Sequence, residues 1–186
     1  MILSETTNML ADCGAVTFAP NEVSATALGT LATKLGFGTV ANYTQFAELP
    51  KNRLTYFLVH GQLPDGSKQR IIHGLRSSDH VFRRFAPIVC FVTAGPRHQI
   101  VPLVQMGFDE VLFVTDPVAD MSHKLNDQLK HELIYVDADH YFGPDRRRIE
   151  RIDPNDPRRK PGGSPFKQIR VVRDPRMGIS TMDIAH

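Results

Sequence analysis

The residues of this chain that could do chemistry lie at the ends of three short apolar runs. His60 ends the run LTYFLVH, Thr93 ends the run PIVCFVT, and Asp116 follows the run EVLFVT. A histidine can carry a proton or a phosphoryl group, and a carboxylate can bind a hard divalent cation. No nucleophile stands beside a recognisable base in the sequence, so we expect the protein not to be an enzyme.

The other candidate metal ligands show no spacing that is typical of a metal site. Cys13 and Cys90 lie in different segments and form no CxxC pair, so we expect neither zinc nor a disulfide, and Cys90 is expected in the core. We therefore predict no metal and no cofactor. The histidines away from the strand ends are expected at the surface: His73, His80, His98, His123, His131 and His140.

Composition favours an ordinary globular protein. The chain has 186 residues, of which 41% are hydrophobic and 23% charged, with a net charge of +2. These values argue against wholesale disorder and against a strongly basic nucleic-acid binder. The N-terminus has no basic region before an apolar stretch, and no segment approaches the roughly 18 apolar residues of a membrane span. We expect a cytoplasmic protein without a membrane partner.

The charge balance changes sharply near Tyr141. Residues 1–140 hold 11 Lys and Arg against 14 Asp and Glu, whereas residues 141–186 hold 11 against 6. Six of the 13 prolines also lie in the second segment. We therefore predict one domain over 1–140 and a basic, proline-rich extension over 141–186 that is largely irregular.

Before Tyr141, apolar runs of strand length alternate with helical patterns. Runs without polar alternation are typical of a parallel sheet that is covered on both faces. Five such units predict a flavodoxin-like, doubly wound α/β fold with strand order 2-1-3-4-5, whose ligand chemistry lies beyond the carboxyl ends of the strands. The strands are predicted at 15–19, 39–43, 54–60, 87–93 and 110–115, and the helices at 23–35, 45–49, 71–75, 98–106 and 117–133.

Several segments resemble those of the response-regulator receiver (CheY-like) family. The matching pieces, which span about residues 15–133, are LGTLATKLGF at 28–37, His60-Gly61-Gln62-Leu63-Pro64 with Asp65-Gly66, the strand 87–94 ending in Thr-Ala, and the stretch 107–117 ending in Asp-Pro. The resemblance implies the receiver fold and a role in two-component signalling. It also implies five strand-end positions for phosphotransfer: an acidic pair that holds Mg²⁺, an aspartate nucleophile, a Thr or Ser, and a Lys.

This sequence departs from that pattern at four of the five positions. Counting back from Leu35-Gly36-Phe37 puts Ala19 and Pro20 where the acidic pair belongs, and His60 replaces the aspartate. The lysine position falls on Val114, or on Asp116 if two residues are inserted, and Thr93 alone is retained. We therefore predict a degenerate pocket formed by Ala19, Pro20, Asn21, Thr93, Val114 and Asp116 around the phosphoacceptor-equivalent His60.

Two alternatives stay open at this pocket. His60 could accept phosphate itself, although no acidic pair would hold the metal that neutralises a transferring phosphoryl group. Asn21, Glu22 and Asp116 could hold a cation if the register is different. We favour the interpretation in which His60 caps a strand end.

The extension carries the most concentrated charge in the chain. One interpretation is a solvated, proline-stiffened tail, another is an arm that orders on a protein partner, and a third is a clamp for nucleic-acid or cyclic-dinucleotide phosphates. Arg147 and Arg151 have the R-x-x-x-R spacing of PilZ-type cyclic-dinucleotide binders, although the second PilZ element is absent. The candidate binding residues are Arg146, Arg147, Arg148, Arg151, Arg158 and Arg159.

These observations together predict a non-enzymatic signalling adaptor that works through protein contacts and without phosphorylation. A homodimer through the last helix and strand is one form that such contacts could take. Strand-like alternation at 166–173 suggests an edge strand added to the body or to a second subunit. The rival prediction is a sensor of phosphate-bearing ligands that uses the arginines after Tyr141.

Overall fold

The computed structural model describes residues 8–48, 53–93, 95, 100–145 and 166–184. These residues form a parallel sheet with helices on both faces, followed by an antiparallel sheet. Within this described part, no helix is long and apolar enough to cross a membrane.

The parallel sheet has five strands in the order β2-β1-β3-β4-β5. The register places Phe18 beside Val59 and His60 beside Phe91. The strand order confirms the predicted doubly wound fold, which is that of CheY-like receivers. The strands are β1 (Gly14–Phe18), β2 (Thr39–Asn42), β3 (Thr55–His60), β4 (Ile88–Val92) and β5 (Glu110–Phe113).

Short local signals begin and end the helices between these strands. Asn21 caps the first helix by accepting a hydrogen bond from the Ser24 amide at 2.9 Å, and Gly36 ends that helix with a φ of +96°. Only a residue without Cβ adopts that conformation without strain. The helices are α1 (Glu22–Leu35), α2 (Asp65–Arg76), α3 (Val81–Arg84), α4 (Ile100–Met106) and α5 (Val118–Asn126), with 3-10 turns at Met9–Asp12 and Tyr43–Glu48.

Alternate residues of the central strand β3 pack against opposite layers of helices. Tyr56 and Leu58 lie in one buried cluster with residues of α1 and α5, whereas Phe57 and Val59 lie in the other with residues of α2 and α4. Both faces of this strand are therefore shielded from water, which explains why residues 56–59 are hydrophobic without polar alternation.

A second, antiparallel sheet follows α5, with strand order β7-β6-β8-β9. One face of it packs a small aromatic and aliphatic cluster that includes Phe85, Tyr135 and Val171. Phe85 belongs to the loop before β4, so this cluster joins the second sheet to the body. The strands are β6 (Glu132–Ala138), β7 (Tyr141–Pro144), β8 (Lys167–Asp174) and β9 (Gly178–Ile184).

Part of the predicted extension is regular, because β7, β8 and β9 all lie within 141–186, whereas residues 146–165 lie outside the described residues. Most of the described residues after Tyr141 are β-strand. The strand expected near 166–173 exists as β8, but it lies between β6 and β9 and is not an edge strand of the body.

The last predicted helix is shorter than expected. It ends at Asn126, and β6 begins at Glu132, because Leu133 and Tyr135 alternate with more exposed neighbours and face the small cluster. The second sheet therefore uses strands from both sides of Tyr141. Residue 141 itself opens β7, and the division into 1–140 and 141–186 stays a prediction.

Candidate functional site

The structure brings the predicted pocket residues to one edge of the parallel sheet. Ala19 follows β1, His60 ends β3, Thr93 follows β4 and Val114 follows β5. Because the carboxyl ends of parallel strands meet at the same edge, these four residues lie at neighbouring strand ends. Their side chains are one methyl, one imidazole, one hydroxyl and one isopropyl group.

The residues that follow β1 supply few ligand atoms for a metal cation. Ala19 carries no ligand atom, and Pro20 lacks both a ligand side chain and a backbone N–H. Asn21 directs its Oδ1 to the Ser24 amide as the helix cap. The oxygen that was predicted as an alternative cation ligand is therefore engaged in starting α1.

His60 is partly exposed and works as a local acceptor. Its Nδ1 accepts a hydrogen bond from the Gln62 amide at 3.2 Å. Burial lowers the pKa of His60 below its ordinary value because desolvation disfavours the charged imidazolium. A neutral imidazole with Nδ1 as acceptor fits the predicted role of capping a strand end.

The turn after His60 is held tightly to the neighbouring strand. The Gly61 amide donates to the Phe91 carbonyl at 2.7 Å, and a Cβ on Gly61 would lie 2.8 Å from that oxygen. Any larger residue at this position would push the turn away from β4.

The ends of β4 and β5 complete this edge. Thr93 is exposed, and Val114 exposes 41% of its surface. Asp116 lies farther along the turn, with its Oδ2 3.5 Å from the Lys124 Nζ. The described residues contain no group of three or more His, Cys, Asp or Glu that could hold a metal ion.

The predicted arginine site cannot be placed. Its six members lie outside the residues that the structure describes: Arg146, Arg147, Arg148, Arg151, Arg158 and Arg159.

Sequence reasoning missed a charged cluster at the opposite edge of the sheet. Asp109 precedes β5, Arg76 ends α2 and Arg173 comes from β8 of the second sheet. Arg76 Nη2 donates to Asp109 Oδ2 at 2.6 Å, and Arg173 Nη2 donates to Asp109 Oδ1 at 2.7 Å. We call Arg76, Asp109, Arg173, Tyr135 and Gln128 the buried ionic cluster, since all five side chains are buried.

Both oxygens of the Asp109 carboxylate have additional partners. Tyr135 Oη donates to Oδ1 at 2.5 Å, and the Ile88 amide donates to Oδ2 at 2.7 Å. Burial by itself would raise the pKa of Asp109, but Arg173 and Arg76 outweigh it and hold that pKa below its ordinary value. Asp109 is therefore an ionised side chain in the interior.

The guanidinium of Arg173 also has hydrogen-bond partners at each of its three nitrogens. Its Nε donates to the Phe85 carbonyl at 2.8 Å, and its Nη1 donates to Gln128 Oε1 at 2.8 Å. Burial would lower the pKa of Arg173, but Asp109 raises it above the ordinary value. These bonds fasten β8 to the loops at the amino ends of β4 and β5.

One signal in the sequence could have indicated this cluster. Arg173 lies two residues beyond Val171 and four beyond Ile169, on the face of β8 that is buried. An arginine at such a position needs a carboxylate partner inside the protein. Nothing in the sequence around Asp109 marks it as that partner.

Comparisons with known proteins are limited to structure. No protein-family model matches the chain, and no curated protein matches it in sequence. The chain is similar in structure to the receiver domain of the sensor histidine kinase PA1611 from Pseudomonas aeruginosa PAO1, which has a magnesium ion coordinated in its active-site cleft. That likeness has a TM-score of 0.47 and 15% identity, and it covers 62% of this chain and 95% of the other.

The chain is also similar to ShkA Rec1, a structure in complex with c-di-GMP. Here the TM-score is 0.43 with 16% identity, over 63% of this chain and 92% of the other.

Proposed function

We propose that this chain is a receiver-like signalling protein of the two-component type that works through protein contacts, independently of phosphorylation and without enzymatic activity. The observation that carries the proposal is the chemical nature of the strand-end edge. Ala19, His60 and Val114 end or follow the strands there, on a sheet with receiver strand order.

Phosphotransfer in receivers requires charge compensation at this edge. A divalent cation takes oxygen ligands, and the transferring phosphoryl group must be neutralised as it moves. Ala19 and Pro20 supply no such ligand, the Asn21 oxygen is engaged in the helix cap, and Asp116 is near Lys124. His60 has no carboxylate with which to form an acyl phosphate.

Protein contacts are supported by exposed apolar side chains near the end of β5. Val114 exposes 41% of its surface and Val118, at the start of α5, exposes 38%. These two valines flank the turn that holds Asp116. A partner that covered them would remove apolar surface from water, which favours association.

Incubation of the full chain with acetyl phosphate and Mg²⁺ tests the phosphorylation-independent part. We expect intact-mass spectrometry to show no stoichiometric addition of a phosphoryl group. A stable phosphoprotein would overturn the proposal, and its loss in His60→Ala would assign the phosphate to His60. Loss of the adduct at acid pH and persistence in base would identify a phosphohistidine.

Affinity capture followed by crosslinking mass spectrometry tests the contact part. We expect Val114→Lys to abolish the crosslinks that the wild-type chain forms through α5. The matched control is Val81→Lys, because Val81 exposes a similar 40% of its surface on α3. Equal loss in both variants, or no loss in either, would contradict a contact surface at Val114.

A further inference from the structure

A cavity lies near the edge of the parallel sheet that is opposite the strand-end edge, beside Arg76 and Arg84. It has a volume of about 430 Å³ and lies between the end of α2 and the hairpin formed by β6 and β7. Small-molecule sites typically occupy about 300–1,000 Å³. The cavity is therefore large enough for a compact organic ligand.

The walls of this cavity combine hydrogen-bond donors with apolar surface. Arg76, Ser77 and Gln69 come from α2 or directly follow it, and Arg84 comes from α3. Ile72 and Met106 supply an apolar wall. This is the mixture found in sites that bind small amphipathic molecules.

The salt bridges of the buried ionic cluster leave its charge unbalanced, although the acidic side chains of Asp137 and Asp139 also line the cavity. Arg76 is part of the buried ionic cluster, in which two guanidinium groups share the single carboxylate of Asp109. The salt bridges of the cluster therefore leave one positive charge in excess, in an interior where charges are weakly screened. An anion held beside Arg76 would balance it.

Arg84 adds a second cation to the same wall. Its guanidinium lies 4.3 Å from the centre of the Phe142 ring, and its Nη2 is 3.8 Å from Asp137 Oδ2. That ion pair is long and its side chains are partly exposed to solvent, so the attraction between the two charges is weak. Asp137 and Asp139, on the hairpin side, are the acidic groups of the lining.

Both arginines keep an unused donor. Within the described part of the chain, the buried Nε–H groups of Arg76 and Arg84 have no hydrogen-bond partner. Buried donors are normally paired, because an unpaired one loses its hydrogen bond to water without replacement. The two arginines in the cavity wall therefore each keep one N–H group that no protein atom accepts.

We propose that this cavity binds a small organic anion. Its carboxylate or phosphate group lies against Arg84, attracted also by the excess charge at Arg76, and its apolar part packs on Ile72 and Met106. The proposal is independent of the function proposed above, since it concerns the opposite edge of the body. It makes the junction between the two sheets a ligand-binding position.

Titration of the ¹⁵N-labelled full chain with phenyl phosphate, benzoate and phenol tests the proposal. The three probes share a ring and differ in carrying a phosphate, a carboxylate or a neutral hydroxyl. We expect saturable shifts of the Ser77, Ala138 and His140 amide signals with at least one anion, and affinity for phenol at least about tenfold lower. Saturation by phenyl phosphate alone assigns phosphate ligands, and saturation by benzoate alone assigns carboxylates.

Two charge-matched pairs of variants separate site binding from general attraction. Arg84→Gln is expected to weaken the anion at least about tenfold, whereas Arg70→Gln, which removes an exposed arginine of α2, leaves affinity unchanged. Gln69→Glu places a carboxylate in the lining and is expected to weaken binding, whereas Gln62→Glu near His60 has no effect. Absence of saturable binding by either anion, or equal weakening within both pairs, would overturn the proposal.

Discussion

Arg173 donates to Asp109 across 64 positions of sequence, and both side chains are buried, with 0% and 2% of their surface exposed. Arg173 belongs to the C-terminal extension, whereas Asp109 belongs to the receiver-like body. Removing one partner of a buried ion pair leaves an uncompensated charge in the interior, which is far more costly than removing both. The extension is therefore bonded into the body through its interior.

A double-mutant cycle on this pair should show strong coupling. We expect Asp109→Asn to lower the free energy of unfolding by about 3–5 kcal/mol, because it leaves two buried guanidinium groups without a carboxylate. Arg173→Met should cost less, because Asp109 keeps its ion pair with Arg76. The double variant should lose less than the sum of the two. Urea denaturation measures all three, and strict additivity would contradict the coupling.

Stability should depend on pH through Asp109. Its pKa is lower in the folded chain than in the unfolded chain, so its contribution is complete above the unfolded value of about 3.9 and disappears as pH falls through the folded value. We expect Asp109→Asn to flatten the loss of stability below about pH 4, whereas Asp183→Asn, on the exposed surface of β9, leaves the curve steep. Denaturation curves at several pH values measure it, and identical slopes would count against the prediction.

A fragment of residues 1–140 should not fold as the full chain does. The fragment lacks β8, so Asp109 has no ion pair with Arg173. Tyr135 and Phe85 also lose their packing cluster with Val171 and become more exposed to water. We expect circular dichroism to show no cooperative thermal transition for the fragment and one for the full chain. A cooperative transition at a similar temperature in both would establish 1–140 as an autonomous domain.

Both cysteines should be unreactive in the folded protein. Burial raises the pKa of the Cys13 thiol and that of the Cys90 thiol to about 12, so the reactive thiolate is scarce near neutral pH. We expect a chromogenic disulfide reagent to label neither thiol quickly in the native chain and both after denaturation. Rapid labelling of the native protein would contradict the buried positions.

The arginine segment stays a prediction with its own test. If Arg147 and Arg151 clamp phosphate groups, binding of a cyclic dinucleotide or nucleic acid should weaken steeply with salt and disappear in Arg147→Ala/Arg151→Ala. Fluorescence anisotropy at several salt concentrations measures this. Affinity that the double variant retains in full would exclude these two residues.

The sequence alone predicted the strand order of the parallel sheet. Runs such as LTYFLVH show no alternation of apolar and polar residues because both faces of a parallel strand are covered, so local composition reports the fold. The residues at the strand ends follow from the same runs. The positions of these runs therefore suffice to assign Ala19, His60 and Val114 to one edge of the sheet.

Composition gave no indication of the strands within the extension. Six prolines dominate the average over 141–186, yet Pro144 ends β7 and Pro175 lies in the turn between β8 and β9. Both positions tolerate proline, because neither requires the missing amide in the middle of a sheet. Averages over a window do not distinguish such positions from the strands between them.

Only the tertiary structure decided which charges are internal. Arg173 is one of 11 basic residues after position 140 and looks like the others in a charge count. Its burial depends on the register that sets β8 beside β6 and brings Asp109, Tyr135 and Gln128 around one guanidinium. Such pairing is possible only when distant segments meet in a dry interior, where desolvation penalises every charge that lacks a partner, and that geometry is not a property of any local sequence window.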